Sequence, residues 1–348
     1  MNALLRFGGI LFCWMVGLTV YAQQKPYYTQ YILNNFILNP AVGGIENYGD
    51  LKMSYRNQWT GINGAPVTMY LSYHTPLKGK LDAERTNPTS FGRGGDNVRG
   101  KSYWEEYRSG SRHSGVGGII INDRTGYINR FGLYGTYSYH IPLNDRTTVS
   151  AGFQAGFTNV SLDRAKIEWG TLDPNDPAIG YDNGELSRFR PELGAGIWLY
   201  SADYFLGASV LNIVPGKAQF VRNNAYGTYM VPHFFLQGGY RFQLSDDVMA
   251  LPSVAAQWIN PQPIQIHANL KMQYRDLFWV GGSYRMTDDL GGFAAMAGFN
   301  ISQTFNLGYA YDMSTNSRLR TFTRNTHELI LGFLLNNRYE DTCPRNIW

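Results

Sequence analysis

Apolar and polar residues take turns along most of this chain. In Ile264–Arg275, Ile264, Ile266, Ala268, Leu270, Met272 and Tyr274 share one face. Gln265, His267, Asn269, Lys271, Gln273 and Arg275 share the other. Val149–Thr158 sets Val149, Ala151, Phe153, Ala155 and Phe157 against Ser150, Gly152, Gln154, Gly156 and Thr158. Thr304–Asp312, Phe234–Gln243 and Glu328–Phe333 repeat the rhythm, as does the first hairpin, where Leu51, Met53 and Tyr55 oppose Lys52, Ser54 and Arg56. A period of two is the signature of a half-buried β-strand. About fourteen such segments occur, each about 9–13 residues, longer than the common strand of about 5–6. A strand that crosses a bilayer needs about 9–11 residues. The pattern therefore predicts an all-β transmembrane barrel of about fourteen antiparallel strands. A soluble sandwich or propeller also alternates, but with shorter strands.

The connections fit a barrel. With the N-terminus periplasmic, the even-numbered connections fall on the periplasmic side. From the fourth onward they are short: Leu143–Arg146, Ser201–Asp203, Leu244–Asp247, Arg275–Asp276 and Ser302–Gln303. The outward ones include the long Asn159–Ser187, Ile213–Met230 and Met313–Arg324. Short periplasmic turns and longer outer loops mark outer-membrane barrels. Leu77–Ser114 departs from this, being long yet periplasmic by the count. It is rich in Lys and Arg and holds Arg99, Lys101, Tyr103, Trp104 and Arg108. It reads as a solvated insert or as a docking arm for a periplasmic partner.

Ahead of the strands, Gln23–Tyr48 is polar and aromatic, rich in Asn and Gln, with no clean period. It is expected to fold into the lumen or its periplasmic mouth, with Arg56 and Trp59 fixing the first hairpin against it. Residues 1–22 read as a signal peptide: Arg6, an apolar Phe7–Val20, and Val20-Tyr21-Ala22 as the cleavage site. That apolar run is too short for a spanning helix. The expected layout is a signal peptide at 1–22, a lead-in at 23–49, a barrel at 50–335 and a periplasmic tail at 336–348.

Composition sharpens the barrel reading. Aromatics are 15% and charged residues only 16%, with 25 Tyr and 39 Gly, where a soluble domain carries about 25% charged residues. The net charge of +4 is too mild and scattered for nucleic acid. Cys343 is the only cysteine after residue 22, so an internal disulfide is excluded.

Candidate chemistry is sparse. His74, His113, His140, His233, His267 and His327 show no metal-ligand spacing. His74 and His140 lie at strand ends and read as rim residues. Ser138, Ser209 and Ser283 are mid-strand, but no histidine is paired with them as a barrel hydrolase requires. Asp173–Pro177 lacks the Gly and closing Glu of a calcium loop. No enzyme and no cofactor is expected. Lys52, Arg56, Arg241, Lys271, Arg275, Arg285, Glu192, Asp312 and Glu328 fall on the inward faces. They read as a self-neutralised lumen network, or as a cradle for an inserted segment.

The lead-in also carries a resemblance. Tyr28-Thr29-Gln30-Tyr31, Asn34, Asn39-Pro40-Ala41 and Gly43-Gly44 resemble the opening of the PorP/SprF family of Bacteroidetes outer-membrane proteins. Tyr55-Arg56-Asn57-Gln58-Trp59, then Gly64-Ala65-Pro66, is similar to the element that follows. Gly282–Arg285, Gly308–Asp312 and Thr326-His327-Glu328 resemble its later blocks. The resemblance implies a role in type IX secretion and, in some members, gliding motility. It implies a partner, a secreted adhesin-like surface protein bound through its C-terminal signal domain, or else a core component docking periplasmic machinery. A passive porin or hydrophobic-solute transporter is the reading outside the family.

Overall fold

In the computed structural model the alternating segments become the staves of one closed wall. The structure describes residues 31–46, 48–77, 109, 111–162, 186–214, 216–218, 228–275, 277–287, 291–302, 304–315 and 321–335. The first strands are β1 (Gly49–Asn57), β2 (Val67–Leu77), β3 (His113–Thr125) and β4 (Ile128–Pro142). They continue as β5 (Thr147–Leu162), β6 (Leu186–Ser201) and β7 (Tyr204–Leu211), then the small hairpin β8 (Gly216–Ala218) and β9 (Thr228–Met230). β10 (His233–Tyr240), β11 (Phe242–Gln243), β12 (Val248–Ile259) and β13 (Gln265–Tyr274) follow. β14 (Phe278–Met286), β15 (Gly292–Asn300), β16 (Phe305–Ser314) and β17 (Thr326–Leu335) complete the set.

Each strand pairs antiparallel with its chain neighbours, β1 pairs with β17, and β10 pairs with both β7 and β12. The sheet has no free edge, which removes the unpaired backbone a bilayer would penalise. β10 and β11 form one stave, interrupted where the Arg241 N–H leaves the ladder for the Asp203 carbonyl at 2.6 Å. The wall thus has fourteen staves, and β8–β9 stands apart. No described helix is long and apolar enough to cross a membrane.

The period of two sorts the faces as the pattern predicts. Met53, Tyr55, Phe153, Ile197, Leu270 and Val280 are exposed on the outside, while Lys52, Ser54, Gln154, Trp198, Lys271 and Trp279 are buried within. Stave length is uneven. β5 and β6 have 16 residues each, whereas β7 has 8. The connection between β5 and β6 is accordingly shorter than Asn159–Ser187, because both strands run on, to Leu162 and from Leu186.

The short turns 143–146, 202–203, 244–247 and 301–304 gather at one end, here the turn end. The connections 58–66, 163–185, 212–232 and 315–325 gather at the other, the loop end. The connection 78–112 belongs to the turn end by the same alternation. Arg99, Lys101, Tyr103, Trp104 and Arg108 of that connection lie outside the described residues, as do the signal-peptide stretch 1–22 and the tail 336–348.

Candidate functional site: the lead-in inside the wall

Residues 31–46 and 48 lie inside the barrel, with three short 3₁₀ turns at Tyr31–Leu33, Asn35–Ile37 and Pro40–Val42. The sequence explains the third. Asn39 caps it, its Oδ1 accepting from the Ala41 N–H at 3.0 Å, and Pro40 takes the first position, where no N–H is needed. Gly44 at φ +71° then turns the chain into β1.

The apolar side chains of this segment build the protein's interior. Phe36, Ala41, Val42 and Ile45 pack with Ile119, Trp198, Phe205 and Leu251 of the wall. Ile32 packs with Trp279, Met296 and Ala310. Burying a side chain such as Phe36 or Ile32 is worth about 1.5–3 kcal/mol. That offsets an ordering cost of about 1–2 kcal/mol per fixed residue.

Polar wall residues take the remaining backbone groups. Ser209 Oγ donates to the Leu38 carbonyl at 2.6 Å, and Ser150 Oγ to that of Ala41 at 2.7 Å. Ser138 Oγ and His140 Nε2 both donate to the Gly43 carbonyl, the latter at 2.8 Å. His113 Nε2 donates to the Gly44 carbonyl at 3.1 Å, and the Gly44 N–H donates to His74 Nδ1 at 3.2 Å. Three adjacent strands therefore each give a histidine to the Gly43-Gly44 step. This corrects the rim reading of His74 and His140, which are buried and face the lumen. Ser138, Ser209 and Ser283 also face inward, away from the outer surface a barrel hydrolase would use.

The asparagines act through their side chains. Asn34 Nδ2 donates to Ser72 Oγ at 2.8 Å. Asn35 Oδ1 accepts from Gln237 Nε2 at 3.2 Å. Asn39 Nδ2 reaches the carbonyls of Ile197 at 3.0 Å and Ala208 at 3.2 Å, on β6 and β7. The Tyr31 hydroxyl accepts from Asn269 Nδ2, and its ring meets His267 edge-on at 5.9 Å. Burial pushes the Tyr31 phenol up, against a smaller opposite effect of the Asn269 bond, and keeps it a neutral hydroxyl. Thr29 and Gln30 lie outside the described residues.

Close approach needs glycine on the wall. A Cβ at Gly152 would enter the Pro40–Ala41 backbone, one at Gly196 would strike Asn39 Oδ1, and one at Gly115 would strike the Gly43 carbonyl. These glycines, with the inward histidines and serines, are what the sequence reading missed as partners of the lead-in. The available signal was their shared inward parity on β3, β4, β5 and β6.

The inward charges form separate clusters, not one network. Near the loop end, Arg56 bonds Glu328 at 3.0 Å and Asp312 at 3.3 Å, and Arg285 bonds Asp312 at 2.7 Å. This ties β1 to β16 and β17. Asn57 ends β1 opposite Val67 and His327. The Gln58 N–H donates to the Pro66 carbonyl at 2.9 Å, and Trp59, at φ 53°, donates its N–H to Thr326 Oγ1 at 3.2 Å. At the turn end, Arg241 bonds Asp203 at 2.6 Å and Arg275 bonds Asp247 at 2.9 Å. Lys271 lies over the Trp279 ring at 5.6 Å, and Lys52 bonds Asp50 at 2.8 Å.

The loop end also holds a small rigid platform. The Thr60 N–H donates to the Asn325 carbonyl at 2.9 Å, Arg324 N–H to that of Thr60 at 2.7 Å, and Gly126 N–H to that of Gly64 at 2.9 Å. Three connections are thereby joined, and Ile62, Tyr127 and Phe322 stand exposed on them beside Arg124 and Arg324. Among the described residues no three of His, Cys, Asp and Glu come together to hold a metal.

Comparison with known proteins gives one sequence-level match. The family model described as type IX secretion system membrane protein PorP/SprF matches residues 20–333. No curated protein matches the chain. Among solved structures, the Ralstonia pickettii toluene transporter TbuX is similar at 11% identity and a TM-score of 0.46, over 87% of this chain and 94% of its own. The Acinetobacter baumannii outer membrane protein Omp33 is similar at 10% identity and a TM-score of 0.44, over 84% of this chain and 100% of its own. The CymD monoaromatic hydrocarbon channel is similar at 13% identity and a TM-score of 0.44, over 86% and 91%.

Proposed function

The chain belongs to the type IX secretion system membrane protein PorP/SprF family, and we propose that it works there as a sealed outer-membrane platform that binds a secreted surface protein through that protein's C-terminal signal domain. The platform supports secretion or surface attachment of the partner and performs no chemistry. One observation carries the reading: residues 31–46 lie against the inner wall, and their carbonyls at Leu38, Ala41, Gly43 and Gly44 are each taken by a wall side chain. Two cavities beside them are each about 50 Å³, room for a few waters. Such a barrel acts at its ends.

The loop end faces outward in this reading, and the Ile62–Tyr127–Phe322 platform, rimmed by Arg124 and Arg324, is available to the partner. Residues 1–22 direct export and are removed. Purification from native outer membranes, with mass spectrometry of what accompanies the protein, tests the reading. A large surface protein with a type IX signal domain is the expected companion. Recovery of ring-forming periplasmic proteins alone would move the function to docking of the core machinery through the turn end and its basic insert. Steady conductance of the intact protein in planar bilayers would contradict the seal and return it to a porin or solute transporter.

A further inference from the structure

The outward face is uneven across β6, β7, β10 and β12. Register sets Ala195 beside Val210, Val210 beside Phe234, and Phe234 beside Trp258. The next outward row sets Ile197 beside Ala208, Ala208 beside Leu236, and Leu236 beside Ala256. Small residues on three strands thus fall side by side between large ones. They leave a furrow of about 500 Å³ on the outside of the wall, with Ala195, Ala208 and Ala256 among its floor and Ile197, Leu236 and Ile264 on its rim. Phe234 and Trp258 stack at 5.2 Å and 27° along one side, a flat and stiff boundary.

We propose that this furrow is a lipid subsite that holds an acyl chain of a membrane phospholipid. The volume falls in the range of ligand sites, about 300–1,000 Å³. The furrow is continuous with the lipid-facing wall, so hydrocarbon reaches it without leaving the bilayer. No ionisable side chain lines it, and Ser209 and Gln257 are its polar residues. A docked protein would meet a polar rim around an apolar centre; a hydrocarbon chain matches this surface. Filling it recovers dispersion contacts that an empty depression forfeits. The site is independent of the partner reading above.

Native mass spectrometry of the full chain, delipidated in mild detergent and titrated with 1-palmitoyl-2-oleoyl-phosphatidylethanolamine, tests the site. The first copy is expected to bind at least tenfold more tightly than later copies. Ala208→Trp fills the furrow from its outward floor and is expected to abolish that preference. Ala256→Phe does the same from the neighbouring strand, should the first variant not fold. Val280→Trp, outward on β14, keeps the preference. Equal affinity for all copies, undiminished binding in a folded filled variant, or an adventitious additive only, as a detergent-mass adduct, would overturn the proposal.

Discussion

The imidazoles of His113 and His140 lie parallel, 4.3 Å apart and 5° from coplanar, and grip consecutive carbonyls of the lead-in, Gly44 and Gly43. His140 accepts from the Tyr200 hydroxyl at 3.1 Å with its other nitrogen, which fixes the proton that Gly43 receives on Nε2. Substituting His140→Ala removes the imidazole from the Tyr200 hydroxyl and weakens the hold on Gly43. We expect a loss of about 1–3 kcal/mol, read as a lower midpoint of heat-modifiability on gels. Hydrogen exchange should rise at Gly43–Ile45 before the wall strands. A uniform rise would place the role of His140 in the wall.

Asn39 offers a sharper comparison, because its amide faces two ways. Oδ1 accepts from the Ala41 N–H while Nδ2 donates to two carbonyls. Asn39→Ala should cost about 1–2 kcal/mol through the lost cap. Asn39→Asp keeps the cap but sets a carboxylate oxygen against Ile197 and Ala208. It should therefore destabilise more than Ala, an order that reverses if capping alone matters. Denaturant midpoints of the two refolded barrels decide it.

Gly152→Val tests the close approach. The added side chain cannot coexist with Pro40 and Ala41 where they lie. The wall should still close, since Gly152 keeps its ladder partners Ser138 and Gly196. The lead-in should shift, and bilayer conductance should appear where the parent is silent. Gly135→Ala, whose added atom meets nothing nearer than 3.9 Å, should stay silent.

Arg56 neutralises Glu328 and Asp312 at the junction of the first and last strands. Arg56→Met takes the guanidinium from the buried Glu328 while Asp312 keeps Arg285, and breaking such a buried pair costs about 3–5 kcal/mol. The folded, heat-resistant barrel should fall steeply in refolding yield. Adding Glu328→Gln should recover part of that loss, and a double variant no better than the single would show that the pair is not the source of the cost.

Much of this was legible in the chain. A period of two assigns a face to every strand residue, so Lys52, Arg56, Lys271, Asp312 and Glu328 could be placed inward before any coordinates. What alternation does not contain is the offset between neighbouring strands. Arg56 therefore could not be matched to Glu328, nor Arg275 separated from Asp312 and sent to Asp247 at the opposite end. The histidines show a second limit. A strand end reads as a rim, but His74, His113 and His140 end their strands beside a segment that re-enters the wall. Only that segment's path makes them interior. The lead-in had no periodicity to read because its contacts run to at least eight strands by turns, and no single face organises it.

The unequal staves have a consequence for the membrane itself. β7, with 8 residues, falls short of the about 9–11 that a tilted strand needs to cross hydrocarbon, while β5 and β6, with 16 each, exceed that length. A bilayer of uniform thickness cannot suit both sides of this barrel. Lipid thins beside β7, or the barrel axis leans until the short side is covered, each at a modest cost per ångström of mismatch. The protein is therefore not rotationally equivalent to the surrounding sheet of lipid, and a neighbour in the membrane plane meets a softer, thinner bilayer on one side of it than on the other.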